Sequence, residues 1–407
     1  MKMYYKFGQL FDIIDGDRGI NYPKDSDFYE EGYCLFLNAG NVTKNGWSFE
    51  NNVFITEEKD KQLRNGRVNR GNTVLTTRGT VGNAAYYNDR ITYDHLRINS
   101  GMVILSAKDN GIIDNEFIYY LVISPIARKT IELFCSGSAQ PQLPIKDFVK
   151  IKYDLPSIEK QRKTVSILST YDRLIEINNK RIKVLEQMAE NLYKEWFVRF
   201  RFPGYETAEF ENGLPKGWKT CRFSSIANIL SGGTPSTEHD EYYNGEIPFY
   251  TPKDSTDNYY TFDTLIHLTE DGLQHCNSPL YPKNTIMITA RGTVGNLNLL
   301  AVPMAMNQSC YALNSDVIHS QYFLFFLAKN EILKLKKVAS GGVFDTIIVK
   351  TFDHIKVVIP ENDLISLFDR ILSPIMDECY KLLDKNRNLT AQRNLLLPRL
   401  MSGKLEV

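Results

Sequence analysis

The chain of 407 residues contains no Pro-Pro dipeptide, no CxxC pair, no HExxH and no GxSxG. The first absence excludes the Asn/Asp/Ser-Pro-Pro-aromatic motif of an amino-group DNA methyltransferase. The others exclude the common zinc spacings and the nucleophile elbow of a serine hydrolase. Scattered acids such as Glu331 and Asp345 form no nuclease cluster, so no catalytic and no metal-ligating residue is assigned. Net charge is missing as well: 48 basic residues cancel 48 acidic ones. No global field draws nucleic acid or membrane, and any DNA contact needs its cations sorted onto one face or shared with a partner. The six cysteines form no disulfide framework, which suits free thiols in a reducing compartment. No apolar run approaches membrane-spanning length and the first residues lack the pattern of a signal peptide. The expected location is the cytoplasm, with no membrane partner.

What is present can fill real cores, at 43% apolar and 12% aromatic residues, and the length suits two or three domains. The organising stretch is Ser157 to Arg199. At a 3,4 spacing it reads Leu168, Tyr171, Ile175, Asn178, Ile182, Leu185, Ala189, Leu192 and Trp196, one apolar seam broken by a single Asn. Pro156-Ser157 supplies the stop and the cap before it, and Glu159 lies in the first turn, where the helix dipole favours an acid. The spacing returns 204 positions later as Leu372, Ile375, Cys379, Leu382, Asn386, Leu389, Arg393, Leu396 and Leu400. A lone seam is usually a core helix. Two copies, each after a globular stretch, read instead as an internal repeat.

The stretches before the helices are copies too. Short β-type runs such as Tyr33–Leu37, Thr73–Thr77 and Met102–Leu105 are punctuated by Gly, Asn and Asp, and a helical stretch is expected from Glu116 to Phe134. Thr77-Arg-Gly-Thr-Val-Gly-Asn83 is nearly repeated as Ala290-Arg-Gly-Thr-Val-Gly-Asn296, at an offset of 213 that also aligns Leu37–Asn41 with Tyr250–Asp254. Further on the offset is 204: Ser136-Gly137 meets Ser340-Gly341, and Ile151–Pro156 meets Ile355–Pro360. The frame is shared while the intervening surface differs, as two readers on one scaffold would be. Plain duplication with drift gives the same picture.

The Arg-Gly-Thr-Val-Gly-Asn repeats are not P-loops, because no Lys follows Gly82 or Gly295. Their glycines suit a strand ending in a tight turn. Arg78 and Arg291, beside a glycine that permits close approach, fit phosphate or guanine contact; an internal salt bridge is the competing use. Asn83 and Asn296 read first as turn caps and second as base contacts. In Ser136–Gln142 a polar loop offers Gln140 and Gln142, donor and acceptor in one group, for adenine edges or phosphates, while the second copy, Ser340–Asp345, keeps Ser-Gly and loses the glutamines. A plain linker is the alternative there. Thr80, Thr293 and Lys253 complete the candidate DNA-facing set.

This arrangement resembles the specificity subunit of type I restriction-modification systems, across essentially the whole chain. The most specific marks are Leu192-Tyr-Lys-Glu-Trp-Phe-Val-Arg-Phe-Arg-Phe-Pro-Gly204, similar to the end of that family's central region, and Leu395-Leu-Leu-Pro-Arg-Leu-Met-Ser-Gly-Lys-Leu405, similar to its C-terminal end. The resemblance implies an α+β protein with target-recognition domains at 1–156 and 218–360, long helices at 157–200 and 361–407, and a linker at 201–217. It implies that the helices pack as an antiparallel coiled coil and bind two adenine methyltransferase subunits, joined by restriction-motor subunits. The helix seam (Leu168, Ile175, Ile182, Leu185, Leu192, Trp196; Leu372, Leu382, Leu389, Leu396, Leu400) is then the partner-binding element. S-adenosylmethionine, ATP and Mg belong to the partners, and this chain binds no cofactor. The expected ligand is double-stranded DNA with an asymmetric, bipartite target. A two-domain protein-binding scaffold without DNA readout is the alternative, and a fragment of a fused restriction enzyme is disfavoured by the missing motifs.

Helices of about 40 residues reach roughly 60 Å and can act as a ruler between half-sites about a turn of DNA or more apart. Inserting four residues after Lys180 lengthens the first helix by up to roughly 6 Å. The unread spacer should then grow by one or two base pairs at about 3.4 Å each, with the half-sites unchanged. Methylome sequencing of the insertion variant reads this directly; an active variant that keeps the original spacing would remove the helices from the role of ruler.

Overall fold

A computed structural model describes residues 4–135, 141–338 and 346–405. The chain divides into two compact units, Met1–Leu174 with Leu389–Val407, and Ile175–Asn388. Each long helix therefore contributes its two ends to different units.

In the first unit, β-branched and apolar runs form a four-stranded antiparallel sheet in the order Phe11–Asp15, Met102–Ala107, Thr73–Thr76, Ala84–Tyr86. Thr73–Thr76 is buried at every residue, as a strand covered on both faces must be. A second sheet orders Phe54–Ile55, Cys34–Leu37, Leu96–Ile98 and Arg67–Val68, with Leu96–Ile98 parallel to Cys34–Leu37. The buried charges beside it are paired: Asp60, on the helix Glu57–Gln62, accepts from buried Arg97 Nε at 2.7 Å and is also bonded by Arg67. Burial pushes the Asp60 carboxyl up, and the two guanidiniums outweigh it and hold it below its ordinary value.

The helical stretch expected from Glu116 to Phe134 is two helices, Asn115–Ile123 and Pro125–Phe134. Proline has no N–H to continue the first helix and suits the first position of the second, where Ser124 Oγ accepts from Ala127 N at 3.2 Å.

The first long helix runs from Ile158 to Tyr193 and ends in a π-turn at Lys194–Val198; the second runs from Asn362 to Met401. In the first unit, Val165 and Leu168 share a core with Leu397, Leu400 and Met401, and Leu396 packs against it. Arg393, a seam position, is not a solvated break. Its guanidinium donates to Asp172 at 2.5 Å, while Tyr120 Oη donates to the other oxygen of the same carboxylate at 2.7 Å. Buried Gln161 secures the helix start, donating to the carbonyls of Ile112 and Pro156 and accepting from Asp114 N, each at 2.9 Å.

In the second unit a five-stranded sheet orders Asn228–Ser231, Cys310–Asn314, Ile286–Thr289, Leu297–Leu300 and Tyr260–Thr261. Its core takes in Ile182, Trp196, Leu372 and Leu382, with Leu185 and Leu192 packed against it. Ile175 and Leu389 are half-buried. Tyr193, Trp196 and Phe197 meet Phe323 and Phe368, with ring centroids 4.9 Å apart for Phe197 and each of the two phenylalanines. The linker is ordered rather than featureless: Phe210–Glu211 pairs with Leu214–Pro215, and Trp218 rests on Phe197, Phe200 and Phe202.

Within this unit the helices run antiparallel, since Asn178 meets Asn386 and Arg181 meets Glu378, both at 2.8 Å. The two polar breaks thus face each other. Asn178 Nδ2 donates to Asn386 Oδ1, and Asn386 Nδ2 donates to Asn179 Oδ1 at 2.8 Å. With Asn178 only 3% and Asn386 8% exposed, a slipped register would bury an unpaired amide at a cost of about 1–3 kcal/mol. Asn178→Leu should destabilise the second unit by that amount, and the double change Asn178→Leu with Asn386→Leu should recover most of it. Denaturant unfolding of the single and double variants checks this; equal stability throughout would mean that the pair sets no register.

Candidate nucleic-acid interface

The repeated Arg-Gly-Thr-Val-Gly-Asn segment folds the same way in both units, and a threonine at the end of a strand is its hub. Thr76 Oγ1 donates to the carbonyl of Thr80 and accepts from Asn83 N at 3.1 Å; Thr289 Oγ1 donates to the carbonyl of Thr293 and accepts from Asn296 N at 3.0 Å. Backbone bonds close both loops: Gly82 N to Thr76 O at 3.1 Å and Gly295 N to Thr289 O at 2.8 Å. Gly79 and Gly82 have φ of 71° and 88°, and Gly292 and Gly295 have 77° and 75°, a region that costs side-chain-bearing residues steric strain.

Arg78 is half-buried and Arg291 exposed. Among the described residues neither guanidinium has an ion pair or a side-chain hydrogen bond, so the competing internal salt bridge is not seen there. Thr80 and Thr293 are exposed at the tips. The Asn83 side chain ties the turn to a neighbouring strand and does not cap the turn itself: its Nδ2 donates to the carbonyl of Val42 at 3.2 Å, and Asn296 N belongs to the loop closure.

Gln142 is exposed and forms a backbone bridge with Arg78, so the two are brought together. Leu143 N donates to Thr77 O at 2.9 Å, matched in the second unit by Ile347 N to Ala290 O at 3.0 Å. Gln140 and the Ser340–Asp345 loop lie outside the described residues. Lys253 is exposed on the short turn Pro252–Asp254. Thr293 Oγ1 donates to Pro252 O at 3.2 Å, which brings that turn to the Arg291 loop. The matching turn Ala39–Asn41 is capped alike: Asn38 N donates to the Asn41 side chain at 2.9 Å, as Thr251 N does to Asp254 at 2.8 Å. There Gly40 stands where the second unit has Lys253. One cluster is therefore Arg78, Thr80 and Gln142; the other is Arg291, Thr293 and Lys253.

Sequence reasoning missed further cations beside these turns. The helix Ile145–Phe148 opens two residues after Leu143 and carries Lys146; the helix Val349–His354 opens two residues after Ile347 and carries Lys350. Lys350 lines a groove of about 520 Å³ with Glu331, Lys334, His354 and Lys356. Lys336 is half-buried, and its Nζ lies 3.3 Å from where a Cβ on Gly295 would stand; burial lowers its pKa from the ordinary lysine value. The offset of 204 that aligns Ile151 with Ile355 also aligns Lys146 with Lys350 and Lys152 with Lys356, and that was the available signal.

Among the described residues no group of His, Cys, Asp and Glu could hold a metal ion, and no helix is long and apolar enough to cross a membrane.

The model of the type I restriction modification DNA specificity domain matches the chain twice, over residues 2–187 and 215–390. The chain belongs to this family. It is 23% identical to the type I restriction enzyme HindI specificity subunit of Haemophilus influenzae, over 96% of this chain and 98% of that protein. It is 25% identical to the MjaIX specificity subunit of Methanocaldococcus jannaschii, over 87% of this chain and 82% of that one. Its fold is similar to the crystal structure of the type I restriction-modification S subunit from M. genitalium, with a TM-score of 0.58 and 16% identity, over 98% of this chain and 96% of that one.

Proposed function

We propose that this chain is the DNA-recognition subunit of a type I restriction-modification complex. It reads a bipartite, asymmetric target in double-stranded DNA and carries no catalytic residue of its own. The observation that carries this reading is the duplicated arginine turn. The same strand end, threonine hub and pair of positive-φ glycines present in each unit a cation that has no ion pair among the described residues, while the neighbouring residues differ, Gln142 beside Arg78 and Lys253 near Arg291. A shared turn with different neighbours is what two readers of different half-sites require. The candidate contacts are Arg78, Thr80 and Gln142 for one half-site and Arg291, Thr293 and Lys253 for the other, with Asn83 and Asn296 shaping the turns.

The helix pair is the platform for two methyltransferase subunits, with restriction-motor subunits joining the assembly. S-adenosylmethionine, ATP and Mg are bound by those partners. The family match over both repeats supports this division of labour. The balanced net charge is in keeping with it, since a partner then shares the electrostatic work on DNA.

Incubated with labelled methyl donor and plasmid DNA, the purified chain should incorporate no label and make no cut. With its methyltransferase partner, selection from randomised duplexes should enrich a two-part motif around an unread spacer. Incorporation by the chain alone, or a pool without any motif, would contradict the reading.

A further inference from the structure

The two units read different sequence, yet they keep one turn in common. What two different half-sites share is the sugar-phosphate backbone, not the bases. The shared turn and the shared cations beside it therefore point to phosphate, and the parts that differ point to bases.

Three observations support this. Among the described residues, the backbone N–H groups of Gly79, Thr80 and Val81 make no hydrogen bond, and neither do those of Gly292, Thr293 and Val294. Successive free amides in a turn with a positive-φ glycine form a concavity suited to an anion. Among the described residues the approach is open in the first unit, where nothing lies within 4 Å of a Cβ position on Gly79, and the tips Gly79-Thr80 and Gly292-Thr293 are exposed. Second, Arg78 and Arg291 flank these amides without a carboxylate partner among the described residues. Third, Lys146 and Lys350 stand at matched places on the short helices tied to the turns through Leu143 N and Ile347 N, and among the described residues neither has a carboxylate partner. The acid next to Lys146, Asp147, is engaged by Lys150 at 2.8 Å.

We propose that Arg78, the Gly79–Val81 amides and Lys146 in the first unit, and Arg291, the Gly292–Val294 amides and Lys350 in the second, are two equivalent phosphate cradles that grip the DNA backbone, leaving base reading to residues that differ between the units. This rests on the DNA-recognition reading above. It narrows the arginines from phosphate or guanine to phosphate, and it makes Gln142 and Lys253 the stronger candidates for sequence discrimination. A guanidinium fork and an ammonium point charge are both suited to phosphate oxygens.

The test uses the complex assembled with its methyltransferase partner, binding a target duplex and a scrambled duplex of the same length by fluorescence anisotropy across a salt series. Arg78→Ala should weaken both duplexes by the same factor, about tenfold, and lower the slope of log affinity against log salt by about one. Lys146→Gln, at a more solvated site that threatens folding less, should also weaken both duplexes equally and lower the slope. The methylated motif should keep every position. Relaxation of one base position with the salt slope unchanged would overturn the cradle in favour of base contact. Unchanged affinity and slope in both variants would remove these residues from the DNA altogether. If the unaltered complex fails to prefer its target over the scrambled duplex, the DNA-recognition reading itself falls; if it discriminates and the variants keep its slope, only the cradle does.

Discussion

The core of each unit is completed by a helix segment that its own repeat does not contain. The first unit buries Leu397, Leu400 and Met401 from the far end of the chain against Val165 and Leu168, and Tyr153 Oη donates to Met401 O at 2.6 Å to fasten that end to the first repeat. The second unit closes over Ile182 and Trp196 together with Leu372 and Leu382. Burying such side chains is worth about 1.5–3 kcal/mol each, so neither repeat keeps its full core without the other's helix. The two repeats are thereby made parts of one folding problem, and a few polar contacts join the helix segments: the Asn178–Asn386 pair and the Arg181–Glu378 bridge in one unit, and Tyr120, Asp172 and Arg393 in the other.

The turns use a second economy. One threonine hydroxyl in each unit donates to one carbonyl and accepts from one amide, and this closes a loop that two positive-φ glycines make possible. The intervening amides are left without partners among the described residues, and the arginine stands beside them. A loop closed from within keeps its shape while its surroundings change. That is the property a duplicated scaffold needs if each copy is to acquire its own specificity.

Much of this was legible in the sequence because it depends on periodicity and repetition. The 3,4 seams gave the long helices and part of their buried face, while Val165, Phe197, Phe368, Met376 and Leu397 are buried off the seams; the 213 and 204 offsets gave the matched turns. Positions that depend on tertiary partners were not legible. Nothing in the seam around Arg393 shows that Asp172 and Tyr120 share its carboxylate network. Asn178 and Asn386 looked like breaks at unrelated steps, although antiparallel packing sets them face to face. The stretch from Glu116 to Phe134 kept helical periodicity across Ser124-Pro125, and only the missing proline N–H divides it. Lys146 and Lys350 sit in short helices with little pattern of their own, so the repeat offset was the one clue to them. The linker at 201–217 gave no sign of its packing, because its aromatic contacts join residues too far apart for any period to show: Phe200 and Phe202 pack on Trp218 directly, and Phe210 packs on Phe200.

The central claim is that each repeat independently specifies one half of a DNA target. It is tested most directly by methylome sequencing of cells that carry this chain with its partners, beside cells in which residues 218–360 are exchanged for the corresponding stretch of a relative with a different target. The account predicts that one half of the methylated motif changes while the other half is retained. A motif that changes in both halves, or in neither, would contradict it.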